Sequence, residues 1–138
     1  TEAAKWLQPE NIQHMEQLRE NFELLITQEH KNVHINSRGA PRAWTTSSVS
    51  FPSIKGELML LMLSERGVCA SSGSACSSGA FKESKVIEAI GRPSDGEWGT
   101  VRFSLARTTT AGELELAVKA LSNVLSTIKE IVTESVSA

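Results

Sequence analysis

The stretch Thr100-Val101-Arg102-Phe103-Ser104-Leu105 alternates polar and apolar residues without a break, a period that an extended strand with one buried face satisfies. Val101, Phe103 and Leu105 must share the core face, and Arg102 and Ser104 the opposite one. Just beyond, Thr110-Ala111-Gly112-Glu113 has the spacing of a capping box, in which a Thr hydroxyl and a Glu carboxylate each take up a free backbone amide at a helix start. Leu114, Val118, Leu121, Leu125, Ile128 and Val132 follow at helical spacing, so a long amphipathic helix over 110–132 is expected to cover that strand.

Upstream, Pro9 suits a first helical position, and Ile12, Met15, Leu18, Phe22 and Leu25 recur three and four residues apart. An N-terminal helix ending near Ile26 is expected within residues 1–26. The mostly polar segment from Thr27 to Thr46, broken by Gly39 and Pro41, reads as a connector. Val49 and Phe51 alternate with Ser48 and Ser50 before Pro52 ends a short strand. From Lys55, the block Leu58 to Leu63 is apolar all round, which predicts a helix buried on most sides and closed by Gly67. Val68 to Ala70 suggests a brief strand, and Ser84 to Ile90 a short helix closed by Gly91. Short strands and amphipathic helices in this order predict a two-layer α+β fold, a small antiparallel sheet covered by helices.

The 138 residues, 40% hydrophobic and 22% charged, suit one domain over 1–138 with one core. A formal net charge of −2 with the two signs interspersed gives no field to hold a polyanion, so nucleic acid is not an expected partner. No apolar run reaches the roughly 20 residues of a membrane span. Two cysteines, Cys69 and Cys76, make no disulfide framework, and a reducing compartment is expected. The chain starts at Thr1 without an initiator methionine, which suggests sequence upstream.

Between these elements lies Ser71-Ser72-Gly73-Ser74-Ala75-Cys76-Ser77-Ser78-Gly79. A segment of Ser, Gly and Ala buries too little to offset the entropy of ordering it, so a mobile surface loop over 71–79 is expected, with one thiol near its middle. Cys76 there is either a nucleophile delivered to a reaction or a small packing residue. Cys69 reads as a buried strand residue. His30 and His34 have the spacing of two ligands on one helical face, but with no third ligand in reach they read as a solvated pair, and no metal site is expected. Trp6, Trp44 and Trp98 share no spacing and read as packing residues.

The Ser71–Gly79 run, with Val49-Ser50-Phe51-Pro52 and Lys55-Gly56-Glu57-Leu58 before it and Glu83-Ser84-Lys85-Val86 and Arg102-Phe103-Ser104-Leu105 after it, resembles the C-terminal part of group I cysteine desulfurases. The likeness spans most of Asn36 to Ile131. It implies the small C-terminal domain of a pyridoxal 5′-phosphate enzyme of the aminotransferase-like fold. It implies that Cys76 receives sulfur from L-cysteine as a persulfide, leaving alanine, and that Arg102 holds the substrate carboxylate, a task suited to a planar two-donor fork. Ser72, Gly73 and Ser74 would set the path of the loop, and Cys76 could serve as a transient iron–sulfur ligand. Arg107 reads as structural.

The resemblance further implies a large pyridoxal-phosphate-binding domain, a sulfur-acceptor or iron–sulfur scaffold protein as partner, a homodimer in the full-length form, and a cytoplasmic or organelle-matrix setting. The Ser-x-His-Lys type of segment that carries the family's cofactor lysine does not occur here, and Lys55, Lys82 and Lys85 match no such motif. The isolated chain is therefore expected to be inactive without the lysine-bearing domain. The alternative is a persulfide carrier or association module of the same descent. Trp44-Thr45, Lys85 and Ala106 depart from the common family residues.

Overall fold

The computed structural model describes residues 1–72, 85–90 and 98–137. A short helix α1 (Glu2–Trp6) precedes α2 (Pro9–Glu29), in which Pro9 occupies the first turn, where its missing N–H costs nothing. The spacing of Met15, Leu18, Phe22 and Ile26 does place one face of α2 in the core, and the helix runs three residues past the expected end, to Glu29.

Strand β1 (His34–Ile35) lies inside the segment read as a connector. Two residues are too few for a periodic signal. The chain then turns through Ser37 and Gly39, both at positive φ, and enters β2 (Thr46–Pro52). Helix α3 (Gly56–Ser64) follows and ends ahead of Gly67, whose φ of 76° is the left-handed conformation that a glycine adopts without strain. The expectation that α3 is buried on most sides is corrected by the structure. Met59 and Leu63 are fully buried, but Leu58 and Leu61 are exposed, Leu61 by 61%, because only one side of the helix meets the sheet and the last helix.

Residues 68–70 form no strand; the one pairing at this point is an isolated bridge between Ser71 and Arg102. Helix α4 (Lys85–Ala89) falls where a short helix was expected, and Gly91 lies outside the described residues. Strand β3 (Trp98–Ser104) and helix α5 (Ala111–Ser137) complete the order. The capping box forms as read: the Thr110 backbone N–H and hydroxyl donate to Glu113 Oε2 at 2.8 and 2.9 Å, and the Glu113 N–H donates to Thr110 Oγ1 at 3.3 Å. Val132, placed on the apolar stripe, is exposed; the stripe outlasts the sheet it covers.

The sheet is antiparallel throughout, ordered β1-β2-β3. Ile35, Val49 and Val101 align across it on one face, and with Phe51 and Phe103 they meet Phe22 and Ile26 of α2, Met59 and Leu63 of α3, and Val118, Leu121 and Leu125 of α5. Phe22 and Phe103 stack edge to face, with centroids 5.2 Å apart, a favoured aromatic geometry. The start of α3 lies so close to β3 that a Cβ on Gly99 would sit 2.1 Å from the Ile54 carbonyl oxygen. No helix among the described residues is long and apolar enough to cross a membrane.

Candidate functional site around Arg102

The alternation that places Val101 and Phe103 in the core places Arg102 on the opposite face of β3, where it is exposed. Its backbone is held firmly. The Ser71 N–H donates to the Arg102 carbonyl at 3.0 Å, and the Arg102 N–H donates to the Ser71 carbonyl at 2.7 Å. This rung ties the first residue of the Ser/Gly segment to the residue read as carboxylate-binding. Ser72 is half-buried beside it. Gly73, Ser74 and Cys76 lie outside the described residues.

Because the Arg102 amide and carbonyl are turned toward Ser71, its pairing with Ser48 on β2 is of the non-hydrogen-bonded kind, in which facing side chains approach most closely. The neighbouring pair on the same face, Ser50 and Thr100, shares a hydroxyl–hydroxyl bond of 2.9 Å. Asn36, directly after β1, completes the group. Its Nδ2 donates to Ser48 Oγ at 3.0 Å and Ser50 Oγ at 2.9 Å, its Oδ1 accepts from Ser50 Oγ at 3.2 Å, and its backbone N–H donates to the Ser48 carbonyl at 2.8 Å. Ser48 and Ser50 carried a visible alternation. Asn36 sits just after a two-residue strand and carried no sequence signal of a role.

The remaining candidates fall elsewhere. Cys69 is exposed, not a buried strand residue; residues 68–70 join no strand, and the Val68 N–H donates instead to the Leu63 carbonyl at 3.0 Å. It lines an open groove of about 480 Å³ with Arg66, Val68, Thr109, Glu113 and Leu116. His30 and His34 do not share a helix: His30 caps α2 and His34 begins β1. His30 Nε2 lies 2.8 Å from Ser122 Oγ of α5, and that hydroxyl donates to Glu29. His30 is thus a tie between helices rather than a solvated residue. Burial pushes its imidazole below the usual value, against the opposing pull of Glu29. No group of three or more metal-ligating side chains occurs among the described residues. The Arg107 guanidinium lies 5.4 Å from the centre of the Trp6 ring, a cation–π contact in keeping with a structural role.

A Schiff-base lysine works in a desolvated site, and Lys5, Lys31, Lys55, Lys119 and Lys129 are all exposed. None of these five exposed side chains has the desolvated surroundings such a lysine needs.

Residues 1–117 match the aminotransferase class-V family. The chain belongs to that family. Within it, the chain is 35% identical over 114 residues to cysteine desulfurase 2 of Trichormus variabilis, covering 83% of this chain and 29% of that protein. It is 36% identical over 118 residues to a cysteine desulfurase of Klebsiella pneumoniae, covering 86% of this chain and 30% of that protein. A NifS-like protein from Rickettsia africae superposes with a TM-score of 0.71 at 24% identity, over 86% of this chain and 30% of its own. Another NifS-like protein gives a TM-score of 0.67 at 27% identity, over 83% and 28%. The sheet-and-helix layer is thus the aminotransferase-like α+β fold of these class-V proteins, and the chain spans about 30% of the length of the curated relatives it matches.

Proposed function

We propose that this chain is the part of a cysteine desulfurase, a sulfurtransferase, that receives sulfur on Cys76 and holds the carboxylate of L-cysteine with Arg102. The observation that supports this best is the Ser71–Arg102 rung. Cys76 is five residues of chain from Ser71, so covalent reach holds its backbone within about 18 Å of the rung, at about 3.5 Å per residue. Arg102 is exposed, and among the described residues its side chain has no hydrogen-bond or ion-pair partner, which suits a fork that takes a carboxylate in two parallel hydrogen bonds. The Cys76 sulfur forms a bond to the substrate sulfur, the carbon–sulfur bond of cysteine breaks with its electron pair left on carbon, and a proton on that carbon completes alanine. Transfer of the outer sulfur to an acceptor protein, of the iron–sulfur scaffold type, returns the thiol.

The lysine that binds pyridoxal phosphate belongs, in this reading, to a separate large domain, and the chain alone is inactive. Mass spectrometry of Cys76 tests both parts. With L-cysteine and pyridoxal phosphate, one sulfur should be added at Cys76 only when the cofactor-binding domain of a class-V relative is supplied, and never to Cys76→Ser. Modification without that domain would overturn the assignment of the cofactor to a separate domain; no modification with it would count against Cys76 as acceptor.

The exposure of Lys5, Lys31, Lys55, Lys119 and Lys129 is equally compatible with a second reading, a persulfide carrier that accepts sulfur already activated elsewhere. Arg102→Ala separates the two. Loss of transfer from free cysteine with intact persulfidation by another donor supports the enzyme, whereas equal loss of both supports the carrier.

A further inference from the structure

We propose that Asn36 is a positioning residue for Arg102, acting through the hydroxyl lattice of Ser48, Ser50 and Thr100; this rests on the reading of Arg102 as the carboxylate-binding group. Asn36 is only 3% exposed and Ser50 is fully buried, although both lie on the side of the sheet away from the apolar core. The bonds of the lattice have a mutually consistent direction. Asn36 Nδ2 supplies its two protons to Ser48 and Ser50, Ser50 donates to Asn36 Oδ1, and the Thr100 hydroxyl donates to Ser50. Such a buried group adds little net stability over an apolar filling of the same shape, so its effect is to select one arrangement.

The arrangement selected is the register of β2 on β3. A slip of one residue would turn the core face outward and is excluded by hydrophobicity. A slip of two residues keeps Val49, Phe51, Val101 and Phe103 inward; it is opposed at the start of β3 by the close approach of Gly99 to Ile54, and on the face that carries Arg102 by side-chain bonds. The lattice opposes it through the Ser50–Thr100 hydroxyl bond, which crosses from β2 to β3 one pair along the same face from Ser48 and Arg102. Asn36 joins Ser48 and Ser50 to β1 and so sets where Arg102 stands relative to the rest of the sheet.

The test uses Asn36→Ala, Thr100→Val, which removes a hydroxyl at constant shape, and Thr100→Ser, which keeps it. In hydrogen exchange of the full chain, Asn36→Ala and Thr100→Val should speed the Ser71 and Arg102 amides at least tenfold relative to those of Leu121 and Val124, and Thr100→Ser should match wild type. Uniform acceleration, or none, would overturn the proposal. In the holoenzyme, both disruptive variants should raise KM for L-cysteine severalfold with kcat little changed, and erode the preference for L-cysteine over its methyl ester. If Arg102→Ala leaves that preference intact, the role of Arg102 itself fails. If Arg102→Ala removes it while Asn36→Ala and Thr100→Val do not, only the positioning role fails.

Discussion

Glu23 points into the side of α2 that faces the sheet and is 2% exposed, and Arg42 meets it with two hydrogen bonds, at 2.8 and 2.9 Å. The bond to that carboxylate outweighs burial and raises the Arg42 guanidinium above its usual value. Arg42→Ala would leave a carboxylate buried without a partner and should cost about 3–5 kcal/mol in a denaturant titration. The joint change of Glu23→Leu with Arg42→Met should cost much less, since the pair is removed rather than broken. Ser47 presents the opposite case. It is fully buried on the core face between strands, and its hydroxyl has no hydrogen-bond partner. Ser47→Ala should therefore raise stability, by about 1 kcal/mol, visible as a few degrees in Tm. Neither site was legible in the sequence. Glu23 and Arg42 lie 19 residues apart, and Ser47 became an inward residue only once the register of β2 was known.

At the scale of elements, the start of α5 is the part most completely written in local sequence, because a capping box needs only four residues. The bonds from the Thr110 amide, and then from its hydroxyl, hold the Glu113 carboxyl below the usual carboxylate value. A carboxyl whose folded value is depressed stabilises above its unfolded value and loses that effect as pH falls through the folded one. Thr110→Ala should lower stability by about 1 kcal/mol in thermal melts at neutral pH, and the difference from wild type should shrink as pH falls through the carboxylate range. Helix α3 shows where such reading stops. Leu58 and Leu61 continue an apolar block, so hydrophobicity alone could not show that their side of the helix faces outward. The alternation in β3 was decisive because its polar and apolar positions contrast, whereas β1 offers two residues and depends on β2 for its existence.

For the whole molecule, the junction of α2 with α5 carries a pH dependence. His30 contacts Ser122 and lies near Glu29 and Lys129; burial lowers its imidazole, so folding favours the neutral form. Its contribution is fully present above the unfolded value of about 6.5 and is lost as pH falls below it. Tm should decline between pH 7.5 and 5.5, and His30→Gln should flatten that decline. Leu58, Leu61 and Leu116, the last 68% exposed, leave apolar surface on α3 and α5. A hydrophobic dye should bind the isolated chain, and Leu58→Gln with Leu61→Gln should reduce the signal while leaving Tm nearly unchanged. The fold class and the face of Arg102 could be read from the chain because each rests on a local period. The Asn36 lattice could not, since it joins three strands, and the resemblance to a family named Cys76 and Arg102 without showing what supports either.

The Ser71–Arg102 rung has a consequence for how such proteins diversify. Ser71 is pinned to Arg102 and Trp98 to Pro52 by backbone pairing, so the chain between Ser71 and Trp98 starts and ends at fixed points of the sheet. Doubling the length of a loop held at fixed ends costs only about 0.6 kcal/mol in closure entropy. For the sheet, a change in the number of residues between these two fixed points is therefore thermodynamically cheap, and lineages can vary chain length there, and the acceptors met, while the sheet is inherited unaltered.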